Sequence, residues 1–574
     1  MGWEVGGKNS KILNFKSNRK FRSHLSLSKM KILNVAEKPS VARGISQIMS
    51  RGSARSTRGQ GNPVYKFRYQ GRIRGSGNFR SNGAEMIFTS VAGHMMELDF
   101  DASMKHWNMK SAIKCFEAPV HKTVSERSEN LANTLKREIR SCGTLILWLD
   151  CDREGENIAM EVVEVCRKVR PNIVVKRARF SAVIQREIDR ALGNLVEVDV
   201  RQSEAVNART EIDLRLGAAF TRWLTLHLRS RFGDFNDKNV VSFGPCQCPT
   251  LGFVVERQKR INAFVRENFW YIDVTHNVED SSATFKWKRG RLFDRLACFV
   301  IYELCTENPI ALVKSVRGTR KTKRKPLPLE TVELQKIASR YLKFSSDSTM
   351  KIAERLYQAG LLSYPRTETN KFPDGFDLQK IVREQSQGNK PWCEHARQLD
   401  QDGKFRVPRN GNKDDKAHPP IHPTKFAQDS DFQSPEEAKL YELVVRHFLA
   451  CCSDDAKGQQ TTITIDIASE IFTAWGLMVE EKNFLNVYKY VKWSGKTLPH
   501  YVQGQTFRPR SMMMREGQTS PPGLLSEVEL IGLMNKTGIG TCFVLQFLWY
   551  TKHVHKLETR YRCYDCTTHS HHSK

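Results

Sequence analysis

The stretch "TLILWLDCDREGENI", residues 144–158, limits the fold more than any other part of this 574-residue chain. An apolar run too short to be a helix ends in three acids spaced two apart, then passes straight into a helical pattern through "GENIAMEVVEVC". Extended residues two apart point the same way, so Asp150, Asp152 and Glu154 converge at the carboxyl end of a buried strand. Upstream, "KILNVA" reads as another buried strand and "SVARGISQIM" as a helix, while "EMIFTSVAG" is a third strand. Apolar strands alternating with helices predict a mainly parallel α/β sheet, whose ligands bind beyond the carboxyl ends of its strands.

Three carboxylates at one strand end repel each other unless they share a cation, and hard oxygen donors suit Mg²⁺. A solvated acidic strand end, with Arg153 as internal counter-ion, is the competing reading. Glu37 and Lys38, in "VAEKPS", end the first strand and would face the same crevice.

Past the sheet, residues 186–265 read as helical, with Ile212, Leu216, Ala219, Phe220, Trp223 and Leu224 forming an apolar stripe. Residues 266–325 read as strands, 328–449 as helices, and "TTITIDI" and "NVYKYVKW" as strands again. Between Arg51 and Gly83 a Gly-, Ser- and Arg-rich insert reads as a mobile basic loop or a hairpin. Within the second helical block, "LYQAGLLSYPRTETN" continues a stripe of Met350, Ala353, Leu356 and Tyr357, and Gly360 stops it. Pro365 restricts Tyr364 to extended backbone, which sets the tyrosine on a stiff segment beside Arg366.

The charge points to an anionic partner. The chain carries a formal +29, with 91 Lys and Arg against 62 Asp and Glu. Residues 1–80 hold 18 basic residues and only Glu4 and Glu37, so 16 of the net charges lie there. Nucleic acid is expected before a membrane surface, because no apolar run approaches the roughly 18 residues that would span a bilayer. Fourteen cysteines show no disulfide framework, which fits a reducing compartment. The first 30 residues read either as a leader of the mitochondrial kind or as a basic nuclear-localising arm.

Together, "ILNVAEKPSVA" and "LDCDREGENI" resemble a Toprim domain, the metal-binding module shared by topoisomerases, primases and some nucleases. "GLLSYPRTET" is similar to the active-site signature of type IA topoisomerases. Further matches follow in family order: "SVAGHMMELDF", "RARFSAVIQREI", "NARTEIDLRLGAAFTR", "SFGPCQCPTLGFVVER", "NGNKDDKAHPPIHPT" and "VRHFLACC". Their wording is nearest the eukaryotic topoisomerase III branch, its alpha-like members in particular.

The resemblance implies a multidomain α/β and α+β fold: a Rossmann-like Toprim domain with helical and β-arch domains closing a toroidal core. The domains expected are a basic extension over 1–30, Toprim over 31–185, and a helical DNA-groove domain in two parts, 186–265 and an incomplete 511–541. A β-rich arch spans 266–327 and 451–510, the helical tyrosine domain 328–450, and a divergent tail 542–574.

By the same resemblance Tyr364 is the nucleophile and Arg366 stabilises the phosphate. Lys38 assists the leaving oxygen, His418 contacts the scissile phosphate, and Glu37, Asp150, Asp152 and Glu154 bind Mg²⁺, Glu37 also serving catalysis. Arg209, Asp213, Gln247 and Thr250 would line the groove for single-stranded DNA. An ion pair fits Arg209 and Asp213 equally well, and helix capping suits Thr250. His422 is a second loop histidine, and the prolines of "AHPPIHPT" argue against zinc there.

The implied activity is ATP-independent breakage and rejoining of single DNA strands, alongside a RecQ-type helicase and an OB-fold scaffold protein, in the nucleus or mitochondrion. From residue 542 the wording departs from the family, and a truncated, catalytically weak DNA-binding form is the alternative. Cys563 and Cys566, with His569, His571 and His572, have zinc-like spacing but stand alone in that tail.

Overall fold

The computed structural model describes residues 30–57, 61–77, 79–232, 239–279, 281–493, 495 and 497–539. The leader before Met30, the divergent tail and its Cys563/Cys566 group lie outside these residues. Among the described residues no helix is long and apolar enough to cross a membrane, and every described cysteine is a free thiol.

The first domain is built on a six-stranded sheet. In chain order its elements are β1 (Lys31–Ala36), α1 (Pro39–Ser50), β2 (Arg55–Thr57), β3 (Val64–Arg74) and β4 (Arg80–Ser90). A two-stranded ribbon follows, β5 (Met96–Phe100) and β6 (Val120–Val124), with α2 (Met109–Lys114) between them, then α3 (Glu129–Ile139). The domain closes with β7 (Thr144–Trp148), α4 (Arg153–Arg167), β8 (Val174–Arg177) and α5 (Gln185–Gly193). The strand order is β2-β3-β4-β1-β7-β8. β4, β1, β7 and β8 run parallel, as the sequence pattern predicts. The basic insert is the hairpin of its two readings, and it adds an antiparallel half that makes the sheet mixed.

Two long helices follow, α6 (Val200–Arg231) and α7 (Gln247–Asn262). The stripe expected to bury α6 is largely solvated: Ala219 is covered, but Ile212 is 55% exposed and Phe220 and Trp223 are also exposed.

Next comes a seven-stranded, wholly antiparallel sheet. Its first members are β9 (Asn268–Val278), β10 (Ser281–Trp287) and β11 (Ala311–Lys323), with α8 (Arg295–Glu307) laid on one face. That helix corrects the all-strand reading of residues 266–325; Cys298 and Cys305 are its buried positions, and Ile301 and Tyr302 pack on the same core at helical spacing.

The chain then enters a helical domain with α9 (Thr331–Ile337), α10 (Ser346–Gln358), α11 (Leu378–Ser386), α12 (Cys393–Gln401) and α13 (Pro435–Cys451). It returns to the sheet through β12 (Ala456–Ile467), β13 (Glu470–Glu481), β14 (Thr506–Phe507) and β15 (Ser511–Gln518), and ends in α14 (Glu527–Thr537). The order is β14-β11-β12-β13-β10-β9-β15.

Two boundaries need correction. β15 pairs with β9 over eight residues, so the expected break at 510/511 falls just before a strand of the sheet rather than at its end. "NVYKYVKW" is not a strand: it runs as turns along the helical domain, where Val487, Tyr488 and Tyr490 are buried in that domain's core. Its apolar run comes from irregular chain packed on one side, not from a sheet.

Candidate active site

Two strand ends and one loop build the site. Glu37 and Lys38 follow β1 directly, and Asp150 lies two residues past β7, its neighbour in the sheet. Asp152 is the N-cap of α4, accepting a hydrogen bond from the Gly155 amide at 2.8 Å. Gly155 has no substitute at that turn: a Cβ there would lie 1.9 Å from the Asp150 carbonyl oxygen. The glycine therefore lets α4 start directly against the acid-bearing loop.

Arg177 holds this loop from beneath. Fully buried, its guanidinium donates to the carbonyls of Asp150 (2.6 Å), Ala178 (2.7 Å) and Leu147 (3.2 Å). Its Nε donates to Glu156 Oε1 at 3.0 Å, and Glu156 also accepts from the Asp199 amide. A buried ion pair thus fixes where the strand-end acids begin.

The acids themselves are crowded. The Asp150 amide donates to Glu37 Oε2 at 3.4 Å, and Lys38 Nζ stands 3.7 Å from Glu37 and 3.9 Å from Asp150. Burial, and then the Glu37 charge, push the Asp150 carboxyl well above the usual carboxylate range. Burial alone would lower the Lys38 ammonium, but Asp150, Glu354 and Glu37 outweigh it and raise it.

The second domain completes the site. α10 begins at its Ser345 cap and stops before Gly360, whose φ of +69° suits glycine. A Cβ on Gly360 would also approach the Val183 carbonyl to 2.8 Å, so the turn lies hard against the first domain. The Tyr364 amide donates to the Ser181 carbonyl at 3.0 Å, and the Tyr357 and Tyr364 rings join the first domain's hydrophobic core.

The Tyr364 hydroxyl, 1% exposed as a residue, donates to Asp152 Oδ2 at 2.7 Å, and Tyr357 donates to Asp150 Oδ1 at 3.0 Å. Burial, followed by the Asp152 charge, raises the Tyr364 phenol well above its ordinary range. The His418 ring packs against that of Tyr364, with centroids 4.2 Å apart and the planes tilted by 33°. Burial pushes His418 down to about 4, so its imidazole is neutral near pH 7, and neither ring nitrogen has a partner among the described residues.

Glu354, on α10, ties the cations together. It pairs with Lys38 through Oε1 and with Arg366 through Oε2, the latter at 2.9 Å. The cation of one domain and the arginine of the other are thereby held beside Tyr364.

Glu154 faces the other way. Its Oε2 meets His94 Nε2 at 2.9 Å and its Oε1 meets Arg209 Nη1 at 2.9 Å. His94 Nδ1 also lies 3.1 Å from Glu161, which accepts the Met95 amide. The hydrogen bonds to Glu154 and Glu161 raise His94 to about 9. Its folded value lies above its ordinary 6.5. The pairing therefore stabilises the fold fully below pH 6.5 and loses that contribution as pH rises through about 9. In metal-free protein, the His94 imidazole is expected to titrate near 9 by NMR, and Glu154→Gln to shift the midpoint down; a midpoint near 6.5 would contradict the pairing.

Glu37, Lys38, Asp150, Asp152, Tyr364, Arg366 and His418 thus come together, while Glu154 is held apart on the His94 and Arg209 side. Among the described residues no group of three acids, histidines or cysteines has metal-holding spacing as it stands. The donor set of Glu37, Asp150 and Asp152 nevertheless fits a hard dication: all three are oxygen ligands, and Asp150 is raised by burial and then by the Glu37 charge, a crowding that a cation would relieve.

Among the groove residues, Arg209 lies 4.0 Å from Asp213, as well as on Glu154. Gln247 opens α7. Thr250 is buried within the first turn, its hydroxyl donating to the Cys246 carbonyl at 2.8 Å; Cys246, not Thr250, is the N-cap. His422 is buried away from Tyr364, with Nδ1 2.6 Å from the Pro420 carbonyl.

Sequence reasoning missed Glu354, Tyr357 as an Asp150 partner, His94 and Arg177. Glu354 left one faint signal, an acid one residue from Ala353 in an otherwise apolar stripe. His94 and Arg177 sit inside the quoted matches "SVAGHMMELDF" and "RARFSAVIQREI" or at their edge, with no local pattern to single them out.

Comparison with known proteins agrees with this geometry. The Toprim domain family matches residues 32–183 and the DNA topoisomerase family residues 197–542. The chain is 48% identical over 513 residues to DNA topoisomerase 3-alpha of Homo sapiens, covering 89% of this chain and 50% of that protein. It is 46% identical to DNA topoisomerase 3-alpha of Arabidopsis thaliana, covering 89% and 55%. With DNA topoisomerase 3 of Saccharomyces cerevisiae it shares 41% identity over 92% of this chain and 86% of that one. The chain therefore spans about half the length of the 3-alpha relatives it matches. Full-length topoisomerase I from Thermotoga maritima shares the fold, with a TM-score of 0.65 at 22% identity over 88% of this chain and 76% of that one. With both family matches in chain order and the tyrosine of one domain seated on the acids of the other, the chain belongs to the type IA DNA topoisomerase family.

Proposed function

We propose that this chain breaks and rejoins single DNA strands without ATP, through a 5′-phosphotyrosyl link on Tyr364 that keeps the phosphodiester energy. The observation that carries it is the 2.7 Å hydrogen bond from Tyr364 to Asp152 across the domain boundary, flanked by Lys38 and Arg366 on their shared Glu354. A phenol so raised is a poor nucleophile until its proton has somewhere to go, and Asp152 is within reach to take it. Arg366 exchanges Glu354 for a phosphate and steadies the charge of the transition state. Lys38, kept protonated by three acids, delivers a proton to the leaving 3′-oxygen. Neutral His418, both ring nitrogens available, donates to the scissile phosphate.

Glu37, Asp150 and Asp152 are the residues that would hold Mg²⁺, with Glu154 joining if it leaves His94; the bound ion would supply positive charge for the phosphate backbone. Arg209 and Gln247 are the proposed contacts for the single strand. Relaxation of negative supercoils, resolution of recombination intermediates, a RecQ-type helicase and an OB-fold scaffold as partners, and a nuclear or mitochondrial location belong to the same reading. The second reading, DNA binding without full turnover, is favoured by the exposed α6 side chains Ile212, Phe220 and Trp223, on a helix that packs mainly against α4 and α2.

The test is covalent trapping. The protein is mixed with single-stranded DNA labelled at either end plus Mg²⁺, then denatured. The 3′-labelled fragment should stay on the protein, because the tyrosine holds the 5′-phosphate, and the 5′-labelled fragment should leave with a free 3′-hydroxyl. Label retained from the opposite end, or no adduct from folded protein, would sink the cleavage reading.

A further inference from the structure

The seven-stranded sheet has one covered face and a second that is open around Trp475, though covered at its Gly458 and Leu477 end. Ile272, Val274, Phe285, Ile463, Ile465, Phe472 and Ala474 form one buried cluster with Cys298 and Cys305 of α8, which lies on β9 and β15. Side chains alternate along a strand, so Trp475, Thr462 and Arg317, opposite one another on β13, β12 and β11, share the other face. None of these three is buried, and the Trp475 residue is 50% exposed. Its indole has no hydrogen-bond, ring or cation partner among the described residues.

Trp475 is the most exposed tryptophan among the described residues, and its ring face is open to a flat partner. Apart from Leu477, which shares its side of β13 and is buried, its neighbours are polar. Thr464 and Thr473 lie one step along the same face, Lys286 stands opposite Thr473 on β10, and Thr319 and Lys321 continue the line of Arg317 along β11. Arg317, Lys321 and Lys286 have no carboxylate at ion-pair distance among the described residues. The face also carries acids: Asp273 lies opposite Lys286 in the ladder and 3.9 Å from Arg515, and Asp466 pairs with Lys314 at 3.3 Å. With strands about 4.8 Å apart, Arg317 stands about 10 Å from Trp475, a spacing that lets one extended strand put a base on the ring and a phosphate on the guanidinium.

We propose that this open face is a platform for a second stretch of single-stranded nucleic acid, separate from the strand at Tyr364, with Trp475 stacking on a base and Arg317, Lys321 and Lys286 meeting its phosphates. Unpaired bases are required, because a duplex hides the ring faces that an indole stacks against. Arg317 and Lys321, with no ion pair among the described residues, favour a polyanion over an apolar partner. The proposal goes beyond strand cleavage and stands without it.

Ultraviolet cross-linking of a single-stranded oligonucleotide to the full chain carrying Tyr364→Phe, followed by peptide mapping, tests it. A cross-link at Trp475, absent with a duplex of the same sequence, is expected. Trp475→Ala should weaken binding of a long single strand about tenfold, the scale of one stacked base. It should leave Tyr364 adduct formation with an oligonucleotide of about eight nucleotides unchanged. Arg317→Ala with Lys321→Ala should flatten the salt dependence by about 0.7 in log–log slope per lost phosphate contact. Cross-links confined to other parts of the chain, or unchanged affinity in Trp475→Ala, would overturn the platform in favour of a protein layer over this face. A Trp475 cross-link together with no adduct from the chain that keeps Tyr364 would end the cleavage reading and leave this one intact.

Discussion

Tyr364→Phe protein is expected to form no covalent adduct with single-stranded DNA, a loss of at least about 10⁴-fold in cleavage, as when a sole nucleophile is removed. The change deletes one oxygen and keeps the ring that packs 4.2 Å from His418 and meets Tyr357 at 5.3 Å. The packing that fills the domain joint therefore survives. The deleted group gives up its hydrogen bond to Asp152, which should cost about 1–2 kcal/mol of stability, small enough for the protein to fold. Urea unfolding read beside the denaturing gel separates lost chemistry from lost structure. Tyr357 is the rival nucleophile, since its hydroxyl also faces an acid of the site. An adduct that survives Tyr364→Phe and disappears in Tyr357→Phe would falsify the assignment.

The largest stability effect is expected at Arg177. Arg177→Met should lower the stability of the first domain by about 3–5 kcal/mol, the scale for breaking one side of a buried ion pair. The methionine fills much of the space but cannot donate. It leaves Glu156 charged and buried with only the Asp199 amide, and the carbonyls of Asp150 and Ala178 unmet, while that of Leu147 keeps the Ala178 amide. The paired change Arg177→Met with Glu156→Leu removes the stranded charge as well and should recover part of the loss, the coupling that a double-mutant cycle measures. A single-mutant loss below about 1 kcal/mol, read from the urea midpoint, would mean that the loop under the acids is held by packing rather than by this clamp.

The elements legible in the sequence were those whose evidence is local. β1, β7 and the helices after them follow from apolar runs and spacing, and Gly360 and Pro365 mark the stop and the stiff segment that carry Tyr364. α8 was hidden because its helical spacing lies among strand-like neighbours. "NVYKYVKW" misled for the opposite reason: irregular chain laid on a core buries Val487, Tyr488 and Tyr490, an apolar run that reads like a strand. β15 was assigned to the wrong domain because nothing within eight residues states which distant strand will take its hydrogen bonds.

The sequence by itself determined the chemical groups and their local aim: three acids past a buried strand, an acid and a lysine past another, and a tyrosine held extended beside an arginine. Local geometry suffices there, because backbone period and proline sterics set side-chain direction within a few residues. Only the tertiary structure decided what each group meets. Tyr364 and Asp152 lie 212 residues apart and touch at 2.7 Å, Glu354 joins cations from two domains, and Glu154 turns to His94 and Arg209 rather than to its fellow acids. Those contacts depend on how two separately built cores close on each other, a sum of many weak packing terms that no short stretch of sequence contains.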